Sequence, residues 1–235
     1  MASIYLIRHG QASFGAENYD ELSPLGRLQA TLTGEYLART GVAFDAAYCG
    51  TLERQKDTGT LALAAQAGEV ALVEDARLDE VRNDEHLEYL LPKILETRPD
   101  IKAIVDQGLD SSKRFQKVIE AVFNYWVSPE CDEPAIQSWA EYSAGVHSML
   151  RDIVANQGAG RTVGVFTSGG TIAALTAAVL QLPGSAAYQF YEPVFNCSVT
   201  QLFYSADRVS LSYFNDCSFL RELSVSRGEK LVTYR

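Results

Sequence analysis

Short apolar runs alternate with segments of helical period along most of this chain, and that alternation is the strongest constraint on its fold. Residues 3–8, 44–49, 70–73 and 161–167 each read as a strand. Ser23-Pro24 opens a helix, with Ser as N-cap and Pro in the first turn. Leu25, Leu28, Leu32 and Tyr36 fall on one face of it, and Gly41 closes it. Further helices are expected over about residues 52–66, 138–156 and 171–180, the last apolar on most sides. Residues 198–204 and 209–214 flank Ser205-Ala206-Asp207-Arg208 and predict a hairpin. Together these elements predict an α/β three-layer sandwich: a mostly parallel central sheet, helices on both faces, and an antiparallel edge.

One stretch breaks the alternation. Residues 82–136 are largely helical and contain Pro92, Pro99, Pro129 and Pro134. Phe115, Val118, Ile119, Val122, Phe123 and Trp126 recur at helical spacing and give one apolar face, read as packing and not as a substrate cradle. The region is expected to be a helical cap inserted into a single domain spanning residues 1–235.

Composition narrows the partners. A net charge of −10 argues against nucleic acid or an anionic membrane, while leaving room for a small anion in a local basic pocket. The cysteines, Cys49, Cys131, Cys197 and Cys217, form no C-x-x-C pair, so neither a zinc site nor a disulfide framework is expected, and they read as small core residues. No basic leader precedes residue 3, and the longest apolar stretch, residues 172–182, is too short to span a bilayer. The expectation is a soluble, cytoplasmic protein; its oligomeric state is not readable.

Chemistry-bearing residues cluster where strands end. Arg8-His9-Gly10 follows the first strand, Cys49-Gly50-Thr51-Leu52-Glu53-Arg54 the second, Leu78-Asp79-Glu80 the third, and Ser168-Gly169-Gly170-Thr171 the late strand. In a parallel sheet all four lie at the C-terminal edge, where open α/β sheets bind ligands. A neutral imidazole beside a guanidinium, with a glycine permitting close backbone approach, is suited to attack a phosphorus that the arginine holds.

The chain resembles the histidine phosphatase superfamily, in its phosphoglycerate-mutase-like branch. The matching pieces are Arg8-His9-Gly10-Gln11, the run from Leu22 through Ala30, Thr51-Leu52-Glu53-Arg54, Arg77-Leu78-Asp79-Glu80, and Val165-Phe166-Thr167-Ser168-Gly169-Gly170. The resemblance implies that His9 becomes a phosphohistidine, that Arg8 and Arg54 clamp the phosphoryl oxygens, and that Glu80 serves as acid and then base. It implies no metal and no organic cofactor. Physically, guanidinium forks match the developing charge on phosphoryl oxygens, and two adjacent cations keep an imidazole neutral.

The chain departs from the family at Ser168, where a second histidine usually stands before the Gly-Gly. Serine can also donate a hydrogen bond, and the helix start at Gly169 offers backbone N–H groups, so phosphate binding is expected to survive there with slower turnover. Gln11 and Ser13, in the loop after the nucleophile, are further phosphate-binding candidates or plain loop residues. Glu85 stands next in line to Glu80 as the acid. His86 and His147 are read as ordinary structural residues rather than replacements for the missing histidine.

The expected activity is hydrolysis of phosphomonoesters, with substrates from small phosphorylated molecules such as sugar phosphates to phosphoproteins. A non-catalytic phosphate-binding relative and a phosphoglycerate-type mutase are the alternatives; Glu80-Val81-Arg82-Asn83 lacks the glycine-containing stretch that mutases carry near the acid. A serine hydrolase built on Ser168 is disfavoured. Phe166 stands where a nucleophile elbow needs glycine, and no histidine follows Ser168.

Overall fold

The computed structural model describes residues 2–13, 20–206 and 208–234. β1 (Ala2–Arg8) is followed by α1 (Pro24–Arg39), β2 (Ala46–Cys49), α2 (Glu53–Leu63) and β3 (Leu72–Glu74). Next come α3 (Asn83–Thr97), α4 (Pro99–Asp106), α5 (Ser112–Val127) and α6 (Trp139–Gln157). β4 (Thr162–Thr167), α7 (Gly169–Val179), α8 (Ala187–Tyr191), β5 (Val199–Ser205), β6 (Arg208–Asp216) and α9 (Ser218–Arg227) complete the described elements.

The strands form one sheet in the order β3-β2-β4-β1-β5-β6. β1 runs parallel to β4, with Ile4 opposite Val163 and Arg8 opposite Thr167. On its other side β1 is antiparallel to β5, and β6 continues that antiparallel edge. β1 is central, so both of its faces are covered and its residues are apolar almost without interruption. Tyr5 and Ile7 join one core with α1, α2 and α9; Ile4 and Leu6 join the other with α3, α5, α6 and α7. This is the expected α/β sandwich with its antiparallel edge.

Local signals operate as read from the sequence. Ser23 caps α1, its Oγ accepting the Gly26 N–H at 3.0 Å, and Gly41 ends it with φ +80°. The buried face of α1 is broader than the Leu25, Leu28, Leu32, Tyr36 stripe. Gln29, Ala30, Thr33 and Leu37 are also buried, and Leu25, Leu28 and Tyr36 lie at its margin. α7 is apolar all round because it is buried from Gly169 through Ala177.

One expectation shifts. The third strand runs two residues later than the expected 70–73 and is a short, largely exposed edge strand, so its sequence carries no buried pattern. α9 has no counterpart among the expected helices. The predicted hairpin forms as β5 and β6, although its turn residue Asp207 lies outside the described residues. Within 82–136 the three helices α3, α4 and α5 pack together, and their apolar residues continue the core that contains Ile4 and Leu6. No helix among the described residues is long and apolar enough to cross a membrane. All four cysteines carry free thiols, three of them buried.

Candidate active site

A cavity of about 570 Å³ opens at the C-terminal edge of the parallel strands. Arg8, His9, Arg54 and Glu80 line its floor, and residues at the start of α3 and α5 form its roof.

His9 is buried, at 4% exposure. Its Nδ1 lies 2.8 Å from the Gly10 carbonyl. A carbonyl only accepts, so Nδ1 carries the proton and the Nε2 lone pair is left for chemistry. Arg54 Nε donates to that lone pair at 3.3 Å. Burial first, then the charges of Arg54 and Arg8, push the imidazole pKa well below 6.5. His9 is therefore neutral at physiological pH.

The backbone around His9 is held from several sides. Thr58 on α2 accepts the Gly10 N–H at 3.0 Å, and the Asn196 amide and Cys197 N–H both donate to the His9 carbonyl. A Cβ at Gly10 would lie 2.3 Å from the Gly26 carbonyl oxygen, so glycine is required for this loop to rest on α1. That contact seats the Arg8-His9-Gly10 turn on the Leu22–Ala30 run.

The two arginines differ in how they are tethered. Arg8 Nη1 donates to the Val194 carbonyl and, at 3.1 Å, to the Tyr234 carbonyl. Its Nε is buried with no hydrogen-bond partner among the described residues. Such an orphaned cationic donor is costly unless a ligand completes it. Arg54 is fixed by Asp20, whose Oδ1 lies 2.6 Å from Arg54 Nη1. α2 thus sends Arg54 to the cavity, Gln55 to Ser168 and Thr58 to Gly10.

Glu80 is half-buried beside the start of α7, and its Oε1 accepts the N–H groups of Val81 at 2.9 Å and Gly170 at 2.8 Å. Glu85 also lines the cavity and is paired with Arg82 at 3.0 Å.

Four expected phosphate contacts do not line the cavity. Gln11 Oε1 accepts from Ser23 Oγ at 3.0 Å, and the Ser13 N–H donates to the Glu21 carbonyl at 2.8 Å. Both serve the loop entering α1; residues 14–19 of that loop lie outside the described residues. Ser168 is completely buried, with its Oγ accepting from Gln55 Nε2 at 2.8 Å. Gly169 lies just behind the cavity wall: a Cβ added there would sit 3.1 Å from the Tyr191 ring and 3.8 Å from Arg8 Nε. His86 on α3 packs against Trp126 on α5, at 4.2 Å between ring centroids, and His147 on α6 is half-buried. Neither lines the cavity. Phe115 and Ile119 do line it, so the first turns of the apolar stripe on α5 face the cavity as well as the core.

The sequence reading missed Asp20, Tyr191 and Tyr234, the last two of which line the cavity. Each reaches the site through tertiary contact alone and belongs to no spaced motif.

A buried neutral imidazole flanked by two guanidinium groups at the C-terminal edge of a doubly covered sheet defines a phosphoryl-handling α/β protein. The model of the histidine phosphatase superfamily (branch 1) matches residues 4–114 and 105–217. The chain belongs to that superfamily. Its fold is shared by a histidine-to-alanine variant of phosphoserine phosphatase from Entamoeba histolytica solved with phosphoserine, at TM-score 0.65 and 18% identity over 94% of this chain and 100% of that one. Mycobacterial glucosyl-3-phosphoglycerate phosphatase is similar at TM-score 0.62 and 24% identity, over 91% of this chain and 98% of that one. Bacillus stearothermophilus YhfR matches at TM-score 0.66 and 19% identity, over 93% and 99% of the two chains.

Proposed function

We propose that this single-domain protein is a phosphatase that hydrolyses phosphomonoesters through a phosphohistidine on His9. The observation that carries this reading is the His9 ring itself: Nδ1 is fixed as donor to Gly10, Nε2 meets only Arg54 Nε among the described residues, and the ring lines the cavity with Arg54 and Arg8.

In the first step His9 Nε2 attacks phosphorus and the P–O ester bond breaks. Arg54 Nε–H, which holds the Nε2 lone pair in the free protein, transfers its hydrogen bond to a phosphoryl oxygen, and Arg8 Nε–H binds another. Glu80 gives its proton to the departing oxygen. In the second step Glu80 takes a proton from water, the water oxygen attacks phosphorus, and the P–N bond breaks to release phosphate and neutral His9.

A cavity of about 570 Å³ suits a small phosphorylated molecule better than a protein segment. Phosphoserine and glucosyl-3-phosphoglycerate, named with two structural neighbours, are small substrates of that kind. The free thiols support a reducing compartment, the cytoplasm.

A panel of small phosphomonoesters with rapid alkaline quench tests the proposal. The wild type is expected to release phosphate and trap an acid-labile phosphoenzyme; His9→Ala is expected to do neither. Undiminished hydrolysis by His9→Ala would overturn the mechanism. Vanadate binding without phosphoenzyme would favour a non-catalytic phosphate-binding protein.

A further inference from the structure

Tyr191 stands at the end of α8, in a part of the chain with no spaced motif, yet its side chain lines the cavity with His9, Arg8 and Glu80. Its ring is wedged in place. It stacks on Phe123 with centroids 5.5 Å apart, and its edge rests where Gly169 has no side chain. A Cβ at 169 would sit 3.1 Å from that ring, so any larger residue there would press on it. The Gly169 gap thus sets Tyr191 beside Arg8 Nε, the buried donor that lacks a protein partner.

The hydroxyl is oriented as well as placed. Asn83 Nδ2 donates to Tyr191 Oη at 2.8 Å. An amide N–H occupying one lone pair turns the hydroxyl proton elsewhere, and among the described residues none accepts it. Burial, together with the nearby Glu80 charge, raises the phenol pKa, so the proton stays on oxygen at neutral pH. Ser168, by contrast, is shut away from the cavity and bonded to Gln55. On this side of the floor, the unpartnered Arg8 Nε–H and the hydroxyl of Tyr191 belong to two residues that line the same cavity.

We propose that Tyr191 is a catalytic residue: its hydroxyl, oriented by Asn83, donates a hydrogen bond to a phosphoryl oxygen that strengthens as charge develops in the transition state. This rests on the phosphohistidine reading and adds to it a donor outside the family's matching motifs. No proton is transferred from Tyr191; the hydrogen bond forms with the substrate and is released with phosphate.

Tyr191→Phe removes one oxygen and keeps the ring that packs on Phe123 and Gly169. In rapid-quench experiments with para-nitrophenyl phosphate and an alkyl phosphate, phosphoenzyme formation is expected to slow by ~10–100-fold for both substrates. KM is expected to change by no more than about threefold, vanadate to bind correspondingly more weakly, and the thermal midpoint to stay unchanged. An unchanged rate of phosphoenzyme formation would overturn the role of Tyr191. A loss confined to the alkyl phosphate would also overturn it, because the hydroxyl would then serve the departing oxygen. The same experiment separates this inference from its foundation. If no phosphoenzyme forms in the wild type, or if it persists in His9→Ala, the His9 reading fails whatever Tyr191→Phe does.

Discussion

Asp20 Oδ1 lies 2.6 Å from Arg54 Nη1, while the second oxygen of Asp20 accepts the Glu53 N–H at 2.8 Å. One carboxylate therefore satisfies a donor at the start of α2 and sets the angle of the guanidinium that α2 carries. Asp20→Ala is expected to lower kcat/KM by ~10-fold or more by releasing Arg54, and to cost ~1 kcal/mol of stability through the lost helix-start contact. Steady-state kinetics beside a urea melt checks both. Unaltered kinetics would show that Arg54 is held adequately by its remaining contacts.

Burial and two guanidinium neighbours hold the His9 pKa well below 6.5. The imidazole must be neutral to attack, so the acid limb of kcat/KM attributable to His9 is expected well below pH 6.5. Replacing Arg8 with Met removes one of the cations and is expected to move that limb upward, while lowering the rate. A pH series with buffered wild type and variant reads the displacement; a limb at about 6.5 in the wild type would contradict the electrostatics of the site.

His86 is buried against Trp126, and burial pushes its pKa down to about 4. Between pH 6.5 and 4 the unfolded chain binds a proton at this position that the folded chain refuses, so stability falls as pH falls through that window. At pH 4.5 this costs ~2 kcal/mol relative to neutral pH. His86→Phe, close in volume, is expected to reduce that acid sensitivity. Urea midpoints at pH 7 and 4.5 measure it, and an equal drop in both proteins would count against the assignment.

Ser168 Oγ is bonded to Gln55 and not to the cavity. Ser168→Ala is therefore expected to cost ~1 kcal/mol of stability while changing kcat by less than about threefold. A loss of kcat as large as that expected for Tyr191→Phe would instead return Ser168 to the phosphate.

The elements legible in the sequence are those whose pattern is local. β1 announces itself through continuous apolar character, α1 through Ser23-Pro24 and Gly41, and α7 through an apolar run bounded by Gly169-Gly170. His9, Arg8, Arg54 and Glu80 were legible because each follows a strand that ends at the same edge. β3 was misplaced because an exposed edge strand needs no buried period. Asp20, Tyr191 and Tyr234 were illegible because nothing near them in the chain reveals what they touch; Asp20 meets Arg54 across 34 positions and Asn83 meets Tyr191 across 108. Gln11 and Ser168 carried the chemistry of phosphate ligands, but their hydrogen bonds went to the scaffold.

β1 has no sheet neighbour close in sequence: its partners are residues 162–167 and 199–205. A nascent chain emerging from the ribosome therefore exposes Arg8 and His9 early, with nothing to pair beside them. Pairing on both sides of β1, which fixes where the His9 ring is held, is complete only once about 200 residues have been made. A chain cut short before residue 197 lacks one sheet partner of β1 and the backbone contacts of residues 197 and 198 that hold Arg8 and His9 in place.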